Sequence, residues 1–77
     1  MIHITHHAAV RFLQRVMNIS TFTKKDLYRA YKFLEAETKN IVTKGNRDFF
    51  RLPSFSNYRA VVIDNELVTI LPKEWKY

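Results

Sequence analysis

The sequence has no cysteine and, among its 77 residues, only one glycine and two prolines. The absence of cysteine excludes a disulfide scaffold and any zinc site that needs thiolate ligands, so packing alone must hold a core of this size. The scarcity of glycine and proline, beside 47% hydrophobic and 14% aromatic residues, excludes a fibrous or disordered chain. We therefore expect a single folded domain over residues 1–77, of modest stability.

Long apolar runs are also missing. No stretch approaches the roughly 20 apolar residues that a membrane-spanning helix needs, and the N-terminal segment does not resemble a signal peptide. We therefore expect a cytoplasmic protein with no membrane partner.

Negative charge is absent from the start of the chain. Overall, 13 Lys and Arg residues stand against seven Asp and Glu residues, which gives a net charge of +6. The first carboxylate belongs to Asp26, and Arg11 and Arg15 precede it together with all three histidines. An uncompensated positive segment of this kind favours a polyanionic partner such as a nucleic acid.

The periodicity near the N-terminus predicts a short strand and a helix. Residues 1–4 alternate like a strand, and Thr5 then offers an N-cap hydroxyl for a helix that runs to about Asn18. At about 100° per residue, apolar side chains fill one arc of this helix and polar side chains fill the other. The apolar arc contains Ala8, Ala9, Val10, Phe12, Leu13, Val16 and Met17, and the polar arc contains His7, Arg11, Gln14, Arg15 and Asn18.

A second helix has a clear start signal. Thr23 and Asp26 have the spacing of a capping box, in which each side chain bonds to the backbone N–H of the other residue. The helix therefore begins at Lys24, and its apolar stripe ends near Thr38. We expect the two helices to form a hairpin.

The second half of the chain predicts a sheet. Four short β-rich runs occupy residues 41–44, 48–52, 58–63 and 67–71, and turn-forming residues separate them. The 58–63 run is apolar on both faces, so we expect it to be a central strand. The predicted fold is an α+β domain in which a two-helix hairpin packs on a four-stranded antiparallel β-meander.

The turn at Asp64 and Asn65 sets the expected strand register. It places Ile63 opposite Glu66, and regular pairing from there brings Ala60 opposite Thr69. Those two paired residues would share one face of the sheet. For Thr69 to meet the polar arc of the first helix, that face must look toward the helix.

His7, Arg11 and Arg15 form a cationic stripe along the first helix, because residues four apart lie on one face. Like charges at this spacing repel each other, and cations near a helix N-terminus oppose the helix dipole. An acid-free row of His and Arg is suited to binding phosphate, which arginine can hold with two parallel hydrogen bonds. A simple solvated helix face explains the same row equally well, and charge alone does not choose between them.

The segment HAAVRFLQR (residues 7–15), followed by a second helix and the C-terminal run VTIL (residues 68–71), resembles the HAxxRxxxR families. These are short bacterial and phage toxin-like domains grouped with the barnase/colicin/RelE superfamily of ribonucleases. The resemblance covers nearly the whole chain in the order of its elements. It implies a barnase/colicin/RelE-like fold.

The resemblance also implies cleavage of RNA without a metal or other cofactor. In that reaction the ribose 2′-hydroxyl attacks the adjacent phosphorus, one group removes its proton, another protonates the leaving 5′-oxygen, and cations stabilise the phosphorane. His7 carries over as the acid or base, since histidine ordinarily titrates near neutrality. Arg11 carries over as a catalytic clamp on the phosphate oxygens, and Thr69 as a contact to the phosphate or the 2′-hydroxyl. Thr69 can equally be an ordinary β-forming residue.

Further residues are candidates for binding RNA or for the second proton transfer, and the sequence does not rank them. We expect His6, on the apolar arc, to be partly buried or to cap the helix. Arg15, Lys44, Arg51, Arg59 and Tyr58 are the candidates for phosphate binding, and Lys44, Arg51, Tyr58, Arg59, Lys73 and Tyr77 are those for proton transfer.

Histidines and aromatic residues suggest two other kinds of site. His3, His6 and His7 lie close in sequence, but no carboxylate is near them and two arginines follow, so we expect no metal site. Aromatic side chains can stack on bases, although they fill the core more often. Phe55, which lies between two serines in a predicted loop, is the best candidate for stacking among Phe49, Phe50, Phe55 and Trp75.

Two main functions remain in competition at this point. The first is a small basic endoribonuclease, toxin-like or phage-encoded, which an acidic antitoxin or immunity protein would hold in check. The second is a non-catalytic module that binds nucleic acid or a host protein through the same stripe. A third, an inhibitor of a single host protein, predicts a stable protein complex and indifference to RNA.

Overall fold

The computed structural model describes residues 2–75, which form an α+β fold of two helices and a four-stranded sheet. The first helix changes its winding part-way, from α-helical to π-helical. In chain order the elements are β1 (His3–Ile4), α1 (His6–Arg11), a π-helical segment (Phe12–Val16), α2 (Lys24–Thr38), β2 (Arg47–Leu52), β3 (Phe55–Ile63) and β4 (Glu66–Pro72).

The sheet is mixed, with the strand order β1-β4-β3-β2. Strands β2, β3 and β4 form an antiparallel meander, as predicted, and β3 lies at its centre. Strand β1 runs parallel to β4. The prediction of a wholly antiparallel sheet is therefore wrong.

The run at residues 41–44 is not a strand, and Val42 is 76% exposed. A strand is stabilised by cross-strand side-chain pairs, and this run has no partner because β2 pairs with β3 alone. The fourth strand comes instead from the N-terminal segment, where His3 pairs with Glu66 and Ile4 with Leu67. Met1, at the start of the predicted strand, lies outside the described residues.

The first helix begins as predicted and ends at Val16, close to the predicted end near Asn18. The Thr5 hydroxyl accepts a hydrogen bond from the N–H of Ala8 at 3.2 Å. Near the other end, the N–H of Met17 bonds to the carbonyl of Phe12, five residues back, which is the π-helical spacing. Asn18 then adopts a left-handed φ of 59°, which asparagine tolerates, and the helix stops.

Helix α2 has the predicted bounds. The Thr23 hydroxyl accepts from the N–H of Asp26 at 3.2 Å, and the Asp26 carboxylate accepts from the N–H of Thr23 at 2.9 Å. The predicted capping box is therefore confirmed. On the core side of the helix, Ala30 and Leu34 are buried.

The core lies between the helices and one face of the sheet, which we call the inner face. Phe12, Phe33 and Phe55 form an aromatic cluster in it, with ring centroids 5.1 to 5.9 Å apart. Phe55, the best candidate for stacking on a base, therefore packs against the core, which is the more frequent role of an aromatic residue. The buried residues of the core are Ile2, Ile4, Ala8, Ala9, Phe12, Leu13, Ala30, Leu34, Leu52, Ala60, Val62, Leu67 and Ile70.

A β-bulge changes the register between β3 and β4. Asp64 and Asn65 have φ values of 50° and 65°, which fit a type I′ turn, and Ile63 pairs with Glu66 as predicted. The register then shifts between Val61 and Val62, so Val61 pairs with Thr69. The predicted pair of Ala60 with Thr69 is therefore wrong, because β4 has one extra residue at this point.

Candidate functional site

A cleft forms where the first helix runs beside β4. Because β1 pairs only with Glu66 and Leu67, the rest of that edge of β4 is left without a neighbouring strand. The polar side of the first helix lies along this free edge. The cleft between them has a volume of about 440 Å³ and is open to solvent. We call it the β4 cleft, and it is lined by Thr5, His7, Arg11, Arg15, Val68, Thr69 and Leu71.

Thr5 joins the helix to the strand at one end of the β4 cleft. Besides capping the helix, its hydroxyl donates a hydrogen bond to the carbonyl of Leu67 at 2.7 Å. The backbone N–H of Thr5 bonds to the same carbonyl at 3.1 Å. These bonds fix where the cationic stripe starts relative to β4.

His7 and Arg11 are in direct contact. The Nε of Arg11 donates to Nε2 of His7 at 3.3 Å, and Nη1 of Arg11 donates to the side-chain oxygen of Gln14 at 3.0 Å. In this contact Nε2 of His7 is the acceptor, and Nδ1 does not take part. The imidazole is exposed, so solvent and ligands can reach it.

Arg15 has a structural role in addition to the predicted binding role. Its Nη1 donates to the carbonyl of Ile70 at 2.7 Å, so the guanidinium replaces the strand that is missing from this edge of β4. The guanidinium carbon also lies 5.1 Å from the centre of the Trp75 ring. Burial, and then the nearby charge of Arg11, lower the pKa of Arg15. The remaining guanidinium donors are available to a ligand, because arginine has five.

Thr69 is 5% exposed and faces the β4 cleft from the strand side. Its hydroxyl has no hydrogen-bond partner among the described residues. Every fully buried side-chain polar atom of those residues does have a partner. The hydroxyl oxygen is therefore accessible through the cleft. A nearly buried threonine with a free hydroxyl is the group in this wall that is best placed to contact a bound ligand.

The charge of the β4 cleft is wholly positive. Arg11 and Arg15 supply two guanidinium groups, and no carboxylate is among the described residues that line the cleft. A cleft that carries one sign of charge between apolar walls concentrates counter-ions of the opposite sign. The arrangement is suited to a phosphate group bound between the arginines and Thr69.

Comparison of the chain with models of protein families, with curated proteins and with solved structures found no match.

Four of the predicted binding residues do not line the β4 cleft. Tyr58 donates its hydroxyl to the carbonyl of Arg15 at 2.9 Å and packs against the core. Arg59 donates to the carbonyls of Lys73 and Trp75. Lys44, in the loop before β2, and Arg51, on β2, are exposed.

The structure also bears on the histidines and the proposed proton donors. His6 is exposed, so the expectation that it is partly buried is wrong. Within residues 2–75, no three His, Asp or Glu side chains are grouped as metal ligands. None of the helices described is long and apolar enough to cross a membrane. Tyr77, a candidate for proton transfer, lies outside the described residues.

Sequence reasoning missed several features of the β4 cleft. It treated Thr5 as a cap alone, whereas Thr5 also binds β4 and lines the cleft. It named Trp75 only among the aromatic residues that could stack on bases, whereas Trp75 is half exposed and lies beside Arg15. The place of Thr5 in the cleft could have been suspected from the sequence, because Thr5 lies two residues before His7.

Proposed function

We propose that this protein is a small basic endoribonuclease that cleaves RNA in the β4 cleft by attack of a ribose 2′-hydroxyl on the adjacent phosphate. The observation that carries this proposal is that His7, Arg11 and Thr69 line one acid-free cleft, although Thr69 is far from the other two in sequence. An imidazole and guanidinium groups around a phosphate-sized space are what this reaction needs.

Arg11 and Arg15 bind the two non-bridging phosphate oxygens in the proposed complex. Binding draws the Arg11 guanidinium toward the phosphate, which releases Nε2 of His7 from the hydrogen bond that occupies it in the free protein. The freed Nε2 then accepts the proton of the 2′-hydroxyl. Thr69 donates its free hydroxyl to the phosphate, whose negative charge grows in the transition state.

The proposed reaction exchanges one phosphorus–oxygen bond for another. The 2′-oxygen forms a bond to phosphorus, the bond to the 5′-oxygen breaks, and the products are a 2′,3′-cyclic phosphate and a free 5′-hydroxyl. His7 takes one proton, and the leaving 5′-oxygen takes one from water, to which the cleft is open. No cofactor takes part in the proposed steps.

The resemblance to the HAxxRxxxR families supports the proposal. His7, Arg11 and Arg15 of that motif line the cleft, while Ala8 is fully buried in the core. The His and Arg residues of the motif are thus accessible to a ligand, and its Ala residue packs in the core. We extend the proposal to a barnase/colicin/RelE-like fold, a cytoplasmic location and control by an acidic antitoxin or immunity protein, whose carboxylates would complement the cleft.

A non-catalytic RNA-binding module is the second candidate, and one observation favours it. Nε2 of His7 is occupied by Arg11, and His7 is the one imidazole or carboxyl group among the described residues that line the cleft. A site that only holds phosphate needs the two arginines and no free proton acceptor.

The experiment is cleavage of single-stranded RNA by the purified protein in the presence of EDTA, with detection of 2′,3′-cyclic phosphate ends. We expect His7→Ala to lower the cleavage rate by about 10²- to 10⁴-fold, the usual contribution of an acid–base group, and to retain RNA binding. His6→Ala is the matched control, because His6 is exposed and does not line the cleft. Binding without cleavage by the wild type, on every RNA tried, would establish the second candidate instead.

A further inference from the structure

The sheet face that points away from the helices, which we call the outer face, carries an exposed aromatic ring. Phe49 is paired with Val61, and Val61 is paired with Thr69, so these three residues form one row across three strands. Phe49 is 43% exposed, although it lies within a strand. Its neighbour Phe50 points to the other face and packs against the core. The row runs from an accessible ring, past the fully buried side chain of Val61, to Thr69 in the wall of the β4 cleft.

The outer face also carries unfavourable positive charge. Arg51 on β2 is directly opposite Arg59 on β3, and like charges in a cross-strand pair destabilise a sheet. Arg59 turns its guanidinium to the carbonyls of Lys73 and Trp75, whereas Arg51 is exposed. Among the described residues of β2, β3 and β4, the one carboxylate on this face belongs to Glu66, beside the turn at the far end of β4. Two adjacent cations next to an exposed ring are complementary to a polyanion that carries flat bases.

We propose that the outer face binds single-stranded RNA next to the β4 cleft, with Phe49 stacked on an unpaired base and Arg51 bound to a neighbouring phosphate. Adjacent strands are about 4.8 Å apart, so Phe49 lies about 10 Å from Thr69 across the row. A strand whose phosphate lies in the cleft can therefore reach the ring with a nearby base. The base must be unpaired, because a duplex keeps its base faces stacked inside.

This inference rests on the proposed function, since it extends the RNA from the same cleft. It gives the substrate class as single-stranded RNA, and it assigns base contact to Phe49. Neither feature follows from the cleft, which contacts the sugar and phosphate only.

The test is a binding titration with short fluorescent oligouridines whose riboses all carry 2′-O-methyl groups, so that no cleavage can occur. One nucleotide at a time is made abasic. We expect Phe49→Leu to weaken binding of the intact oligonucleotide by at least about 5-fold, the lower end for one base stacked on an aromatic ring. Tyr28→Leu is the matched control, because Tyr28 is exposed on α2 and belongs to neither the cleft nor the outer face.

The decisive result is the coupling between the ring and one base. In the wild type, removal of one particular base should weaken binding by the same factor as Phe49→Leu does. In the Phe49→Leu variant, removal of that base should weaken binding no further. Arg51→Gln should reduce the slope of log affinity against log salt by about 0.7, the value for one phosphate contact on a single strand. Equal binding of a duplex, or an additive effect of the two changes, would overturn the inference.

Failure of the inference and failure of the proposed function give different results. If Arg11→Gln weakens binding and Phe49→Leu does not, the outer face is not a binding surface and the cleft proposal stands. If Phe49→Leu shows the coupling and Arg11→Gln has no effect, the outer face binds RNA and the cleft proposal fails. Equal affinity of wild type for polyglutamate and for the oligouridine overturns both.

Discussion

Replacing Thr69 with valine should separate stability from function. Thr69→Val keeps the shape and the β-branched character of the side chain and removes only the hydroxyl. Because that hydroxyl has no partner in the described chain, its loss breaks no hydrogen bond within the protein. Thr69 is 5% exposed, so the added methyl group is largely buried. We expect the free energy of unfolding to stay constant or to rise by up to about 1 kcal/mol.

RNA binding and cleavage should change in the opposite direction. A hydrogen bond to a charged group contributes about 1.5–3 kcal/mol, and we assign the Thr69 hydroxyl to a phosphate. Its removal should therefore lower kcat/KM, or the affinity for a non-cleavable RNA, by about 10- to 150-fold. Thermal unfolding supplies the second measurement, since 1 kcal/mol corresponds to a shift of about 4–8 °C in Tm for a domain of this size.

Thr38→Val is the matched control. Thr38 is 3% exposed, as buried as Thr69, but its hydroxyl donates to the carbonyl of Leu34 at 2.8 Å. The control should lower stability by about 0.5–1.5 kcal/mol and leave RNA binding unchanged, because Thr38 does not line the cleft. If Thr69→Val lowers Tm, or if it binds and cleaves RNA like the wild type, the assignment of a free, ligand-binding hydroxyl is refuted.

Two further substitutions test how the helices are held. Tyr58→Phe removes the hydrogen bond to the Arg15 carbonyl, so the free energy of unfolding in urea should fall by about 0.5–1.5 kcal/mol with an unchanged m-value; no change would mean that water replaces the bond fully. Thr23→Ala removes one half of the capping box and should lower stability by about 1 kcal/mol without affecting RNA binding. A loss of binding in Thr23→Ala would show that the start of α2 matters to the site.

Local signals in the sequence were sufficient for the helix starts and one turn. The bonds that define these features join residues a few positions apart, as between Thr5 and Ala8, or Thr23 and Asp26. The turn at Asp64 and Asn65 is likewise local, because both residue types tolerate positive φ. The side-chain types at these positions therefore determine the backbone geometry directly.

The composition of the sheet was not predictable in the same way. Residues 41–44 and the N-terminal segment are both short runs with β character, and each could supply a fourth strand. The choice depends on pairing with β4, which is more than 60 residues from β1 along the chain, as the bond between Thr5 and Leu67 shows. Local β propensity does not depend on such a distant contact, so the parallel pairing of β1 with β4 was not predicted.

The site was partly predictable because the cationic stripe is a local feature of one helix. The spacing of His7, Arg11 and Arg15 follows from helical geometry, and all three do line the cleft. The second role of Arg15 was not predictable, since it depends on the free carbonyl of Ile70 at an edge that β1 leaves open. The same applies to Tyr58, whose partner is a carbonyl in the π-helical segment.

The β-bulge in β4 connects the packing of the core to the chemistry of the cleft. Leu67 and Ile70 both belong to the core, yet residues three apart in a regular strand point to opposite faces. Regular pairing would turn Ile70 outward and would place Thr69 on the inner face beneath the helices, where a hydroxyl without a partner is costly. One extra residue, at Val68, lets both apolar side chains reach the core and turns Thr69 into the cleft. The register that buries Leu67 and Ile70 is therefore also the register that exposes the Thr69 hydroxyl. Core packing determines the position of Thr69, and exposure of its hydroxyl needs no further loss of stability.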